Sequence, residues 1–229
     1  MNSLNSTAIL LFANSAKQEL ANKSIIRSEK LFDNLTKATL LKAKRTGLPV
    51  YHFTEKEQLG TTFGERFTNA IANVFDKGFE NIIAIGNDTP HLKTRHLKYT
   101  ATQLSLGKPV IGASIDGGFY LLGLQRSNFD RKGFKNLPWQ KCDLYQQISL
   151  FLKKDSLGIV QLPVLQDLDT ENDLKSILSF SYSLSTPLLL VILRILNLIK
   201  NLYYTLDNFI QRYTASGNFN KGSPVVSFI

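Results

Sequence analysis

The stretch "NIIAIGNDTPHL", residues 81–92, sets four consecutive apolar residues, Ile82 to Ile85, against a glycine and then a carboxylate, Asp88. A short β-branched run closed by glycine reads as a strand buried on both faces, the kind found at the centre of a parallel sheet. Asp88 then stands just past the end of that strand. Its plainer reading is the start of the next helix, because Asp, Thr and Pro are common there.

The same logic extends in both directions. "TAILLFA" (7–13) reads as another buried strand, and "LPVYHF" (48–53) as a third. Between them, residues 28–46 predict a helix with Leu31, Leu35, Ala38 and Leu41 on its inner face, closed by Gly47. "TFGERFTNAIANVFDKG" (62–78) predicts a helix with Phe67, Ile71, Val74 and Phe75 inward, ended by Gly78. A helix over 93–106 leads into "KPVIGAS" (108–114), and "FYLLGL" (119–124) adds a further strand. Alternating strands and helices specify an α/β fold: a Rossmann-like three-layer αβα sandwich with a mostly parallel sheet and right-handed crossovers.

Bulk properties agree. The chain has 229 residues, 43% hydrophobic and 20% charged, enough to bury a core and too apolar for wholesale disorder. The single cysteine, Cys142, has no partner for an internal disulfide, which fits a reducing compartment. "AILLFA" is short and no Lys or Arg precedes it, so a first strand is the better reading than a secretory leader, and a cytoplasmic location is expected. The 27 basic residues exceed the 18 acidic ones, for a net charge of +9. They are scattered rather than clustered, and "KAKR" (42–45) sits where a helix C-terminus favours cations. This argues against a nucleic-acid partner and suits a phosphorylated small molecule.

In an open α/β sheet, ligands bind beyond the carboxyl ends of the strands. Asp88 lies there, flanked by Gly86 and Asn87. Asp116 lies there too, in "GASIDGGFYLLGL" (112–124), although Asp116-Gly117-Gly118 also suits a hairpin turn. A third acidic cluster, "LQDLDTENDL" (165–174), offers Asp167, Asp169 and Asp173. Its plainer reading is a helix start, with Asp169 or Thr170 as the cap and Glu171 and Asp173 in the first turn. Such carboxylates, with phosphate oxygens, are the hard ligands that Mg²⁺ or Mn²⁺ prefers, and Asp88 and Asp169 are the candidate metal ligands.

Taken in order, "AILLFA", "FGERFTNAIANVFDKGFENIIAIGNDTPHL", "GASIDGGFYLLGL", "LPW" and "LPVLQDLDTENDL" resemble the bacterial family known as domain of unknown function 2064. That family is similar to the glycosyltransferase A (GT-A) superfamily, which includes nucleotide-sugar glycosyltransferases and the nucleotidyltransferases of molybdenum-cofactor and deazaflavin-cofactor synthesis. The resemblance spans about residues 7–178. It implies a metal-dependent transferase that takes a nucleotide or nucleotide sugar. Asp88 would hold the metal. Asp116, Gly117 and Gly118 would line the acceptor side, with Asp116 orienting or deprotonating an acceptor hydroxyl. Gly86 and Asn87 would border the substrate, and Trp139 would wall the pocket or else lie beneath a loop as a core residue.

One segment departs from the family. Many relatives carry a Gly-x-x-Lys-Thr-Arg-like loop after the first strand, where glycine amides cradle phosphates. Here "ANSAKQELANKS" (13–24) has no glycine, and Lys17, Lys23 and Arg27 are left to supply charge. The departure favours a glycosyltransferase over a nucleotidyltransferase, or a nucleotide-binding protein without turnover.

Beyond a transferase domain over 1–178, residues 179–229 predict a serine-rich connector, an amphipathic helix and a tail. Leu188, Ile192, Ile195, Ile199, Leu202, Leu206, Phe209 and Tyr213 recur at three- and four-residue steps. Such a stripe packs on its own domain, pairs with a second subunit in a homodimer, or lies on a membrane surface. Its apolar run before Arg194 is too short to span a bilayer.

Overall fold

A computed structural model describes residues 6–22, 28–141, 143–153 and 158–197. Lys23, Arg27, Cys142 and the predicted stripe from Ile199 onward lie outside these residues. The chain runs β1 (Thr7–Phe12), α1 (Ala16–Asn22), α2 (Glu29–Lys44), β2 (Val50–Phe53), α3 (Phe63–Asp76), β3 (Asn81–Ile85), α4 (Thr94–Ser105), β4 (Val110–Ser114) and β5 (Phe119–Gln125). It continues with α5 (Arg131–Lys135), α6 (Leu144–Lys153), β6 (Val160–Leu165), α7 (Glu171–Leu178) and α8 (Thr186–Ile195).

The six strands form one sheet in the order β2-β1-β3-β5-β4-β6. β1 pairs in parallel with β2 and β3, and β4 with β6, while β5 runs antiparallel between β3 and β4. The antiparallel strand follows from the Asp-Gly turn: β4 and β5 form a tight hairpin, so β4 keeps the direction of β3. As a result the hairpin turn meets the loop after β3 at one sheet edge.

β1 and β3 are central and buried on both faces, with alternate residues feeding two cores. Ala8, Leu10, Ile82 and Ala84 face α3, α5 and α6, where Phe67, Ile71, Val74, Phe75, Phe134 and Ile148 pack. Ile9, Leu11, Ile83 and Ile85 face α4, through Leu97, Ala101 and Leu104. The predicted inner face of α3 is the observed one. That of α2 is rotated: Leu31, Phe32, Leu35, Thr39 and Ala43 are buried, whereas Leu41 is 50% exposed and Ala38 only partly covered. The true stripe steps by four residues and includes a polar threonine, which hid it.

A third core joins Leu31, Phe32 and Leu35 of α2 to Leu168, Leu174 and Ile177 and to Leu188, Val191 and Ile192 of α8. The first turns of the predicted C-terminal stripe are therefore packed on the chain's own α2. Among the described residues no helix is long and apolar enough to cross a membrane.

Candidate active site

A cavity of about 300 Å³ opens at the carboxyl ends of β1, β3 and β6, beside the β4–β5 turn. Asp88, Asp116, Asp167 and Asp169 all line it, with Gly86, Asn87, Gly118 and Trp139. Gly117 is not part of the lining; its φ of 91° lets the hairpin close, and the Gly118 amide donates to the Asp116 carboxylate at 2.9 Å. Asp116 is thus both a turn residue and a rim carboxylate.

Asp88 does not cap a helix. α4 starts six residues later, with Lys93 as its N-cap. The loop carrying Asp88 is instead pinned to its surroundings. The Leu168 amide donates to the Asp88 carbonyl at 2.9 Å, and the Asn87 side-chain amide donates to the Thr36 hydroxyl of α2 at 2.9 Å. Asn87 therefore anchors the loop as well as touching the cavity. The Asp88 carboxylate folds back over Gly86, where an added Cβ would come within 3.0 Å of its Oδ1.

The acidic cluster after β6 divides into three roles. Asp173 closes a capping box with Thr170 at the start of α7. Asp169 is exposed on the cavity rim, its amide donating to Asp173 at 3.1 Å. Asp167 is the partly buried member. Its carboxyl accepts a hydrogen bond from Thr89, in the same loop as Asp88. Burial first, then the neighbouring Asp88, pushes its carboxyl up to about 7, against the hydrogen bond from Thr89. Burial and the nearby Asp167 likewise raise the phenol of Tyr120, which donates to the Pro163 carbonyl at 2.9 Å.

Among the described residues no three His, Cys, Asp or Glu side chains gather closely enough to enclose a metal ion. The donor set nevertheless suits a hard divalent cation. Asp88 and Asp167 are like charges in a partly dry cavity, and a cation held by one or two carboxylates and completed by substrate phosphate oxygens removes their repulsion.

The segment after β1 contains no phosphate cradle in the described residues. The Ser15 amide and hydroxyl both donate to Glu55, at 2.7 and 2.8 Å. Glu19, whose carboxylate accepts from Asn14 at 2.9 Å, adds a negative group to the cavity lining. Lys17 is exposed on α1 and does not reach the cavity. Among the described residues the basic side chain that does is Arg66 of α3, whose guanidinium donates to the Thr61 carbonyl at 3.2 Å. Nothing in its local sequence sets Arg66 apart from a solvated helix residue.

Trp139 is both a core and a wall residue. Its ring packs among Phe63, Phe67, Phe119 and Phe134, and its indole N–H donates to the Phe134 carbonyl at 2.8 Å. Gly64 makes room for it: a Cβ there would meet the indole ring and lie 2.9 Å from the Lys135 carbonyl. Gly64→Ala should therefore push the indole outward and cost about 1–3 kcal/mol. As Trp139 is the only tryptophan, its fluorescence reads the shift directly. An unchanged emission maximum with unchanged melting temperature would show that the wall tolerates the methyl.

A mostly parallel sheet between helix layers, with strand-end carboxylates around one crevice, defines a Rossmann-like αβα protein with an acidic site. The chain belongs to the family described as uncharacterized protein conserved in bacteria (DUF2064), whose profile matches residues 18–141. Among solved structures it is similar to a protein of Desulfovibrio desulfuricans G20 provisionally assigned as a nucleotide-diphospho-sugar transferase. That pair shares 20% identity with a TM-score of 0.70, over 87% of this chain and 98% of the other. It is also similar to Rv0371c of Mycobacterium tuberculosis H37Rv, at 12% identity and a TM-score of 0.54, over 77% and 99% of the two chains. At such identities the likeness is one of fold. No curated protein matches the sequence.

Proposed function

We propose that this chain is a divalent-metal-dependent glycosyltransferase acting on a nucleoside diphosphate sugar. The observation that carries the reading is the convergence of Asp88, Asp116 and Asp167, from three separate strand ends, on one cavity in which Asp167 is pushed up by burial and by Asp88. A carboxyl raised by burial and a specific charged neighbour, sitting in a cleft, is a functional-site candidate. The Desulfovibrio fold neighbour's provisional assignment to sugar-nucleotide chemistry supports the same reading.

Asp88 and Asp167 would hold Mg²⁺ or Mn²⁺, with Asp169 at the rim. A cation held there would supply positive charge against that developing on the leaving diphosphate. Asp116, fixed by the Gly118 amide, orients an acceptor hydroxyl. Arg66 offers a donor to the diphosphate, and Trp139 closes one wall. Glu55 on the Ser15 amide and Glu19 in the lining work against a triphosphate beside β1. That favours glycosyl over nucleotidyl transfer.

Titration calorimetry with nucleoside diphosphates and their sugars, with and without Mn²⁺, tests the reading. Binding should require Mn²⁺, and a bound sugar nucleotide should be turned over. Asp88→Asn should abolish Mn²⁺-dependent binding with little change in melting temperature. Metal-independent binding that Asp88→Asn leaves intact would remove the metal role. Tight binding with no turnover would make the chain a nucleotide-binding protein.

A further inference from the structure

A second cavity, of about 330 Å³, lies behind the wall that carries the carboxylates. The two share that wall residue by residue. Asp116 lines the first and Ile115 the second; Asp167 lines the first, and Leu165 and Gln166 the second. In the loop after β3, Asp88 faces the first and His91 the second.

Its lining has a distinct chemistry. Lys93, Arg95, His91 and His96 contribute nitrogen, and the described lining residues include no carboxylate. Opposite them stand Phe180 and Tyr182, 55% and 81% exposed, with the Lys93 ammonium 5.9 Å from the Tyr182 ring centre. Phe180 in turn meets the His91 ring edge-on. Exposed aromatics grouped with apolar Ile115 and Val164 form a patch of the kind that marks binding surfaces.

The local field is positive. Burial, then the adjacent Lys93, pulls the Lys42 ammonium down to about 8, and its Nζ donates to the Pro90 carbonyl at 2.7 Å. Both histidines are lowered by burial first and by neighbouring cations after it. The His96 Nδ1 accepts the Lys93 amide at 3.3 Å, so the neutral ring carries its proton on Nε2 as a donor. An anion in this cavity would supply the counter-charge that no carboxylate of the described lining provides.

We propose that the second cavity is a binding site for a small molecule with an anionic oxygen group on an aromatic body. The anion meets Lys93 and Arg95, and the body lies against Phe180 and Tyr182. The assignment rests on the lining of the second cavity and not on the transferase reading. It goes beyond that reading, because Asp116 and Ile115 form a partition between the two cavities.

Phenyl phosphate is the probe, titrated into the full-length chain by calorimetry. One site is expected, weakened at least ~10-fold in a Lys93→Ala/Arg95→Ala double variant. Phe180→Ala/Tyr182→Ala should weaken it as well. Mn²⁺-dependent nucleotide binding should be the same in every variant, and a nucleoside diphosphate should not displace the probe. Absence of binding, binding indifferent to both double variants, or displacement by the nucleotide would overturn the proposal. Loss of binding to phosphatidylglycerol vesicles in the cationic variant, with no phenyl phosphate site in the parent, would make the patch a membrane surface instead and equally overturn it. If phenyl phosphate binds as stated while no nucleotide does, the transferase reading fails and the second site stands.

Discussion

Asp167→Asn is expected to reduce Mn²⁺-dependent turnover of a nucleoside diphosphate sugar by roughly 100-fold or more, and yet to stabilise the metal-free protein at pH 8. Both effects follow from one carboxyl. Its ordinary value is 3.8, and burial with Asp88 beside it raises that to about 7 in the folded chain. The folded state therefore holds the proton more tightly than the unfolded one. The stability contributed by the neutral carboxyl is complete below about pH 4 and is lost as pH rises through about 7. At about 1.4 kcal/mol per pH unit the loss approaches roughly 4 kcal/mol. Solvent access from the cavity reduces the expected figure to about 2 kcal/mol. Asparagine does not titrate, and its Oδ1 can still accept from Thr89. Thermal melts of both proteins in EDTA should coincide near pH 4 and separate by pH 8, with the variant higher. The difference between the curves isolates Asp167 from carboxyls shifted the other way, such as Asp173 and Glu65. If the variant keeps full turnover and the parent's pH slope, Asp167 is neither a ligand nor a strained carboxyl.

The sheet and the first two carboxylates were legible because they rest on local signals. β1 and β3 announce themselves as unbroken apolar runs, and the strand-end rule places Asp88 and Asp116 without any contact information. β6 was not legible. Pro163 interrupts it, and as an edge strand it buries only Leu162 among its six residues. α1 and α5 are too short for periodicity to disclose, whereas α6 does carry a stripe, Leu144, Ile148 and Leu152, at four-residue steps.

Within the site, sequence could not rank Asp167, Asp169 and Asp173. The sorting is done by residues far along the chain: Thr89 and Asp88 select Asp167, while the local Thr170 claims Asp173. The absence of glycine after β1 was legible, but what the described part of that segment does instead was not. Glu55 occupies the Ser15 amide across 40 residues of sequence. The second cavity was equally hidden, since Lys93, Val164 and Tyr182 belong to three unrelated segments.

A chain ending at Ser185 is expected to lose most of its stability. α8 inserts Leu188, Val191 and Ile192 against Leu31, Phe32 and Leu35, and all six are nearly inaccessible to solvent. Each such aliphatic side chain contributes about 1.5–3 kcal/mol on burial, so the three on α8 together supply roughly 5–9 kcal/mol. That is comparable to the whole stability of a typical domain, about 5–15 kcal/mol. The exposed face of α2 would then drive aggregation. Ile192→Ala alone should cost about 2–5 kcal/mol. A chain ending at Asn197 keeps α8 and should melt within a few degrees of the parent. Melting curves and light scattering of the three lengths make the comparison. Because α2 already covers the stripe through Ile192, a homodimer seam or a lipid contact built on this stripe would use its remainder, Ile195 to Tyr213. A dimer built there loses half its mass at Asn197 without losing stability, and a membrane contact built there loses liposome flotation at the same cut. An intact melting temperature at Ser185 would instead mean that α8 is an appendage and that the third core closes without it.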